Sequence, residues 1–134
     1  MSTTLGEELI KPTKIYVESI LKILNKHKTK KVIKGMAHIT GGGLIENIPR
    51  ILPEDCAVTL ERSKWNVPEI FNIIQDVGNI DNQEMFHVFN MGIGLSLIVS
   101  KSDVKTVLND LESAKEPGRV IGEVVKGDRT VRIV

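Results

Sequence analysis

The sequence predicts an α/β (α+β) fold, namely a single domain in which a mixed β-sheet is flanked by helices. Its 134 residues are enough for one compact domain with a core and too few for two, so residues 1–134 are predicted to form one domain. Apolar residues make up 41% and charged residues 26%, a balance typical of a globular rather than a disordered chain. Helix-like and strand-like segments alternate along most of the chain, and two strand-like runs around a turn close it.

Three longer segments have apolar residues at helical spacing. The first is predicted to begin at Pro12 and to run to about His27, because proline is favourable in a first helical turn. The second follows Pro68 and ends at Gly78. The third follows Ser102, a favourable N-cap residue. Shorter helices are predicted at residues 44–48 and 81–86.

Runs rich in β-branched residues predict five strands, at residues 32–40, 56–61, 95–100, 120–125 and 130–134. In the first run, alternation places Met36, His38 and Thr40 on one face. Ala37 and Ile39 then face the other way. The last two runs are predicted to pair as a hairpin through the four residues between them.

Charge and composition exclude several classes of protein. The net charge is +1 with acidic and basic residues mixed, and the basic run 27–31 suits a helix C-terminus, so no nucleic-acid partner is predicted. A single cysteine, Cys56, excludes an internal disulfide and is predicted to be a buried reduced thiol. The histidines and the cysteine lack metal-ligand spacing, so no metal site is predicted. The longest apolar stretch, 93–99, is too short to span a membrane, and the N-terminus lacks a signal pattern, so a cytoplasmic location is expected.

The strongest motif is His38-Ile39-Thr40-Gly41-Gly42-Gly43-Leu44, which lies between a predicted strand and a predicted helix. Glycines leave backbone N–H groups uncovered and permit positive φ, and a helix start adds further N–H donors, so the segment suits a phosphate or another oxyanion. Thr40 can add a hydroxyl and His38 an imidazole on the same strand face. The alternative is a tight turn whose glycines let the helix and strand approach closely. No Gly-Lys-Ser/Thr follows, so this is not a Walker loop.

A second candidate lies at residues 89–94, where Asn90 and Gly92 precede a strand. Glycines there indicate either a ligand near the backbone or a bulge, and the Asn90 amide offers donors and an acceptor. Arg50 could clamp an anion bidentately or be a solvated surface residue. His87, between aromatic residues, is interpreted as a packed histidine rather than a base.

Taken in order, these segments resemble aminoimidazole ribonucleotide synthetase, the phosphoribosylformylglycinamidine cyclo-ligase family, in its C-terminal domain. The resemblance covers nearly the whole chain from Leu5 and rests on the ordered set rather than on any single motif. The matching segments are Leu5-Gly6-Glu7-Glu8-Leu9, Pro12-Thr13-Lys14-Ile15-Tyr16-Val17, Ala37 to Leu44, Asn47-Ile48-Pro49-Arg50-Ile51-Leu52-Pro53, Glu84-Met85-Phe86, Phe89-Asn90-Met91-Gly92-Ile93-Gly94 and Ile121-Gly122-Glu123-Val124.

The resemblance implies an ATP-dependent ligase of purine biosynthesis that closes formylglycinamidine ribonucleotide to aminoimidazole ribonucleotide. It implies that His38 and Thr40 are catalytic. Residues that would bind the phosphorylated substrate are Gly41, Gly42, Gly43, Arg50, Asn90 and Gly92.

The same resemblance implies that part of the enzyme is missing from this sequence. Family members are expected to be about twice as long, with an N-terminal half that binds ATP and Mg²⁺ and forms a homodimer. The chain would then be a domain fragment or one half of a split enzyme, inactive and free of cofactors without its N-terminal partner. A binding module that holds a phosphorylated ligand or a partner protein without catalysis is the alternative, and the oligomeric state stays open.

Overall fold

The structure, a computed structural model, describes residues 4–134. Short helices and strands alternate along these residues, which confirms the α/β class. The helices are α1 (Leu5–Leu9), α2 (Val17–Lys26), α3 (Gly43–Asn47), α4 (Glu69–Gly78), α5 (Asn82–Val88) and α6 (Val104–Ser113). The strands are β1 (Ile33–His38), β2 (Cys56–Leu60), β3 (Leu95–Val99), β4 (Gly122–Lys126) and β5 (Val131–Ile133). None of the helices in the described part of the chain is long and apolar enough to cross a membrane.

The strands divide between two sheets rather than forming one. Strands β1 and β3 pair antiparallel in a two-stranded sheet, and His38 lies opposite Leu95. The second sheet has the order β4-β2-β5 and is mixed, because β2 runs antiparallel to β4 and parallel to β5. No strand among residues 4–134 joins the two sheets.

The predicted C-terminal hairpin is wrong, because β2 lies between β4 and β5. Val58 has Val124 as its partner on one side and Val131 on the other. The connection between β4 and β5 crosses the start of β2, where Gly127 N donates to the carbonyl oxygen of Asp55 at 3.0 Å. The chain does turn at the predicted residues 126–129. The two strands on either side of the turn do not pair, because the apolar strand β2 lies between them and is hydrogen-bonded to both.

Two predicted helix starts are also wrong. Helix α2 begins at Val17 rather than Pro12, because Ile15 is 80% exposed and the buried stripe starts only at Ile20. Without an apolar face to bury, the preceding residues gain little from helical structure. Ser102 lies within a 3₁₀ turn that precedes α6 and makes no side-chain cap.

Two apolar clusters hold the elements together. The larger surrounds α3, β2 and α5, and the smaller joins α2, β1 and α6. The alternation predicted for β1 is confirmed, since Ala37 and Ile39 are buried while Met36, His38 and Thr40 are exposed. The exposed face of β1 therefore carries His38 out of the core and toward the site described below.

Buried carboxylates tie α2 and its C-terminal turn to α6. Asp110 pairs with Lys26 and, at 2.6 Å, with His27 Nε2, while buried Asp103 pairs with Lys30. Burial alone would raise the pKa of Asp110, but hydrogen bonds from Lys26 and His27 outweigh it and hold that pKa below its ordinary value. The basic run at 27–31 thus has a structural role in joining two helices.

Candidate functional site

Two candidate segments of the sequence meet at one end of the β1–β3 sheet. The glycine loop, residues 40–43, follows β1, and the 90–94 loop precedes β3. Because β1 and β3 are antiparallel, the end of one strand lies beside the start of the other. Ile39 N donates to the carbonyl oxygen of Gly94 at 2.9 Å, which joins the two loops directly.

Gly43 supports the tight-turn interpretation of the glycine motif. Its φ is +56°, and a Cβ there would lie 2.1 Å from the backbone oxygen of Phe86 and 2.8 Å from that of Phe89. Its own N–H donates to the carbonyl oxygen of Thr40 at 3.0 Å. Gly43 is therefore required for α3 to pack against α5, and its N–H is not available to a ligand.

Gly41 and Gly42 support the other interpretation, that of an anion site. Within residues 4–134, neither of their N–H groups has a hydrogen-bond acceptor. Gly41 is exposed, and a Cβ there would meet nothing within 4 Å. Helix α3 has only five residues, so its dipole adds little, and the loop's own N–H groups, including these two, are the donors on offer.

Asn47, which sequence reasoning missed, fixes the shape of the loop from inside. This buried side chain donates through Nδ2 to the carbonyl oxygens of Gly43 at 2.8 Å, Gly41 at 3.2 Å and Thr40 at 3.3 Å. The Thr40 hydroxyl donates back to Asn47 Oδ1 at 3.4 Å. The available signal was an amide among the apolar residues of a short helix, since buried polar side chains are normally hydrogen-bonded.

A charged network borders the loop on its α5 side, and Glu46 at its centre was also missed. Glu46 Oε1 lies 2.8 Å from His87 Nε2, and Oε2 lies 3.7 Å from Arg50 Nη2. A Cβ at Gly42 would lie 2.5 Å from that second carboxylate oxygen. The interpretation of His87 as a packed histidine is wrong, because its side chain is 48% exposed and pairs with Glu46. Arg50 also donates to Asn47 Oδ1 at 3.3 Å, so it belongs to the site's border rather than to free surface.

The charge on Glu46 opposes an anion at the glycine loop, and the neighbouring Arg50 guanidinium offsets that effect. A guanidinium beside a carboxylate keeps the local net charge near zero, whereas an unpaired carboxylate would repel a phosphate. Arg50 still exposes 63% of its side chain, so its remaining N–H groups can reach a ligand.

The 90–94 loop is built largely by its own residues. Asn90 Oδ1 accepts a hydrogen bond from Gly92 N at 2.9 Å, and the Met91 carbonyl accepts one from Trp65 Nε1 at 3.1 Å. Gly92 has a φ of +91°, and a Cβ there would lie 2.6 Å from Pro68. These contacts favour a structural role for Gly92, while the Asn90 amide nitrogen makes no hydrogen bond within the described residues.

Tyr16 adds an aromatic wall that the sequence did not reveal. A Cβ at Gly94 would lie 2.1 Å from Tyr16 Oη, so glycine is needed there for the phenol to fit. The Tyr16 and His38 rings lie edge to face with centroids 6.2 Å apart. The irregular segment before α2 thus reaches the same end of the β1–β3 sheet as the glycine loop.

Cys56 lies apart from these groups, at the start of β2. Its thiol is partly buried, and burial together with the neighbouring Asp55 carboxylate raises its pKa. A raised pKa disfavours the reactive thiolate. The burial predicted for Cys56 is only partial.

Residues 2–134 match the family model described as AIR synthase related protein, C-terminal domain. The chain belongs to this family. It is 50% identical over 123 residues to a phosphoribosylformylglycinamidine cyclo-ligase of Bacillus cereus (strain G9842), covering 92% of the chain and 34% of that protein. It is 48% identical over 133 residues to the corresponding Pseudothermotoga lettingae protein, covering 99% of the chain and 38% of that protein. The resemblance stated from the motifs is confirmed.

The chain spans about a third of the length of these curated relatives, not half as the resemblance implied. Among solved structures, the hydrogenase maturation protein HypE of E. coli matches with a TM-score of 0.67 and 21% identity, over 96% of this chain and 39% of that one. A HypE–HypF complex matches with the same TM-score and 22% identity, over 96% of this chain and 42% of the matched one. Likeness at this level of identity shows a shared fold.

Proposed function

We propose that this chain is the substrate-side domain of a phosphoribosylformylglycinamidine cyclo-ligase and serves the ATP-dependent ring closure that forms aminoimidazole ribonucleotide in purine biosynthesis. The observation that carries the proposal is the 50% identity over 92% of the chain to a protein of that name. The meeting of the two candidate loops at one end of the β1–β3 sheet supports it.

The chemistry requires a group that holds phosphate. An amide oxygen is a poor leaving group, so transfer of a phosphoryl group from ATP converts it into phosphate, which departs when a nitrogen of the same substrate attacks. Positioned donors stabilise the charge on phosphoryl oxygens, and positioning also makes the attack intramolecular. In this chain we assign the phosphate contact to the N–H groups of Gly41 and Gly42, with Arg50 adding positive charge at the border.

We assign proton transfer to His38, assisted by the Thr40 hydroxyl. Both side chains are exposed on the same face of β1 and its extension, next to the glycine loop. Tyr16 holds one side of the His38 ring, which restricts the directions in which the imidazole can point. Asn90 lies in the loop before the neighbouring strand β3, where its free amide nitrogen can donate to the substrate.

The described residues do not by themselves form a magnesium site. No group of three or more His, Cys, Asp or Glu side chains that could hold a metal ion occurs within residues 4–134. Magnesium binding, most of the ATP contacts and the contacts of a homodimer are therefore assigned to the two thirds of the full-length enzyme that this chain does not match. That remainder is the proposed protein partner, a phosphorylated small molecule is the proposed ligand, and the cytoplasm is the proposed location.

A complementation assay tests the proposal. ATP-dependent formation of aminoimidazole ribonucleotide is measured for this chain, for the unmatched part of the Bacillus cereus protein, and for their mixture. We expect activity only in the mixture. Activity of the chain alone would contradict the assignment of ATP to the missing part. Substrate binding by this chain without activity in the mixture would instead identify a binding module.

Two substitutions then test the residue assignments. His38→Ala should lower activity of the mixture by about 10²-fold or more, the usual contribution of general acid–base catalysis. Thr40→Val should lower it less, since it removes one hydroxyl donor. The matched controls are Lys34→Ala, exposed on the same strand, and Thr106→Val, exposed on α6, and both should leave activity unchanged. Full activity of His38→Ala would refute its catalytic role.

A further inference from the structure

An open cleft with a volume of about 790 Å³ separates the two sheets. Residues 95–99 of β3 border it on one side, and residues 120–124, which include the start of β4, border it on the other. Its walls include apolar side chains, among them Ile51, Val107 and Leu111. Strands of both sheets, including Val58 and Leu60 of β2, thus line the same space.

The edge of β3 toward the cleft carries backbone groups with no partner. Ile39 N donates to the Gly94 carbonyl, so Gly94 turns its hydrogen-bonding groups toward the β1 side. Alternation in an antiparallel pair then turns those of Ser96 toward β1 and those of Leu95 and Leu97 away from it. Neither Leu95 N–H nor Leu97 N–H has an acceptor among the described residues.

The edge of β4 that faces away from β2 also carries backbone groups with no partner. Glu61 N donates to the Ile121 carbonyl at 2.8 Å, and Gly127 N donates to the Asp55 carbonyl at 3.0 Å, so the odd-numbered residues of this segment face β2. Gly122 and Val124 therefore turn their N–H and C=O groups toward the open edge. No other strand of residues 4–134 pairs with that edge.

A side chain at the cleft also lacks a partner. Ser96 Oγ is buried and makes no hydrogen bond, the one such side-chain atom found within residues 4–134. Ser96 also borders the cleft. Buried hydroxyls without a partner are uncommon and costly, which indicates that a polar group is absent from its surroundings.

We propose that this cleft receives an extended segment from the remainder of the full-length enzyme, which pairs with β3 and β4 and joins the two sheets into one. Unpaired strand edges are satisfied by backbone, so a strand is the occupant they fit, whereas a small ligand would leave most of these groups unpaired. The remainder supplies such a segment, since two thirds of the length of the curated relatives lies outside the match. The inference rests on the proposed function, because it takes the remainder of that enzyme as its partner.

Hydrogen exchange of backbone amides tests the docking surface directly. The first sample is this chain alone, and the second is a chimera in which it replaces the matched third of the Bacillus cereus protein. We expect the amides of Leu95, Leu97, Gly122 and Val124 to exchange at least about 100-fold more slowly in the chimera, as paired strand amides do. Unchanged exchange in both segments would overturn the proposal. Slow exchange in the chain alone that depends on protein concentration would also overturn it, because the occupant would then be a second copy.

A proline substitution separates edge pairing from stability. Val124→Pro removes an N–H that faces the cleft and spares the hydrogen bonds to β2, so the chain should fold while β3 and β4 stay unprotected in the chimera. Lys126→Pro is the matched control, since it removes an N–H of the same orientation on the same strand but lies outside the cleft lining. Protection that is equal in the two variants would refute the pairing.

The two proposals fail separately in this design. Protection of both edges in a chimera that makes no aminoimidazole ribonucleotide would leave the docking surface standing and refute the function. Activity in a chimera whose β3 and β4 amides are not protected would support the function and refute the docking surface.

Discussion

Substitution of Gly43 by alanine is expected to destabilise the fold strongly, although it adds a single methyl group. Gly43 lies where α3 meets α5, with a φ of +56°. A Cβ there would lie 2.1 Å from the Phe86 oxygen, a backbone atom that moves only if α5 moves. The substitution therefore imposes both backbone strain and overlap between two helices.

The magnitude follows from these two terms. An L-residue in the left-handed region costs about 1–2 kcal/mol relative to glycine. Displacement of α5 to relieve the overlap resembles overpacking of a core and costs about 1–3 kcal/mol more. We therefore expect a loss of about 2–5 kcal/mol in the free energy of unfolding, a large part of the stability of a typical domain.

Urea denaturation followed by Trp65 fluorescence measures this loss, since Trp65 is the chain's one tryptophan and is buried in the larger cluster. With a slope of about 2 kcal/mol per molar urea, the midpoint should fall by about 1–2.5 M. Gly41→Ala is the matched control, because a Cβ there meets nothing within 4 Å, and its midpoint should change by less than about 0.3 M. If the midpoint of Gly43→Ala also stays within that limit of the wild-type midpoint, the packing argument is refuted.

Two other substitutions test contacts that hold the fold together. Trp65→Phe removes the hydrogen bond to the Met91 carbonyl and should cost about 1–3 kcal/mol in urea denaturation, followed here by far-UV circular dichroism because the tryptophan is gone; a loss too small to measure would contradict the role of that bond. Asp110→Asn removes a carboxylate whose folded pKa is lowered, so the stability it contributes is full above the ordinary aspartate pKa of about 3.9 and is lost as the pH falls through the lower folded value. The wild type should therefore be more stable than Asp110→Asn at pH 7, and the gap should narrow as the pH falls below about 3.9; a gap that does not depend on pH would contradict it.

Local patterns predicted local structure well. The alternation of β1 is a property of neighbouring residues, and the exposed positions of His38 and Thr40 followed from it directly. The meeting of the glycine loop with the 90–94 loop could not be predicted from either motif alone. It depends on the antiparallel pairing of β1 with β3, which are far apart in the sequence.

The failures share a non-local cause. The turn before β5 is present, but the strand between β4 and β5 is formed by residues 56–60. No residue near the turn indicates that this distant strand pairs there. Glu46 was passed over for the same reason, because its importance comes from the approach of His87 on another helix. The division into two sheets has a further cause if the cleft between them belongs to a strand of the remaining enzyme.

The exposure of the site and the open cleft have one explanation in common. His38, Thr40 and Gly41 face solvent, where an interaction between unit charges 4 Å apart is worth about 1 kcal/mol, against about 4 kcal/mol in a partly desolvated site. Enzymes lower barriers by about 8 kcal/mol or more, which donors in open water do not supply. The cleft reaches this site, since Tyr16 and Gly94 border both. A segment seated between β3 and β4 would thus reach the end of the sheet where Tyr16 packs on His38, so the docking event that we propose would also exclude water from the groups to which we assign the phosphate contact.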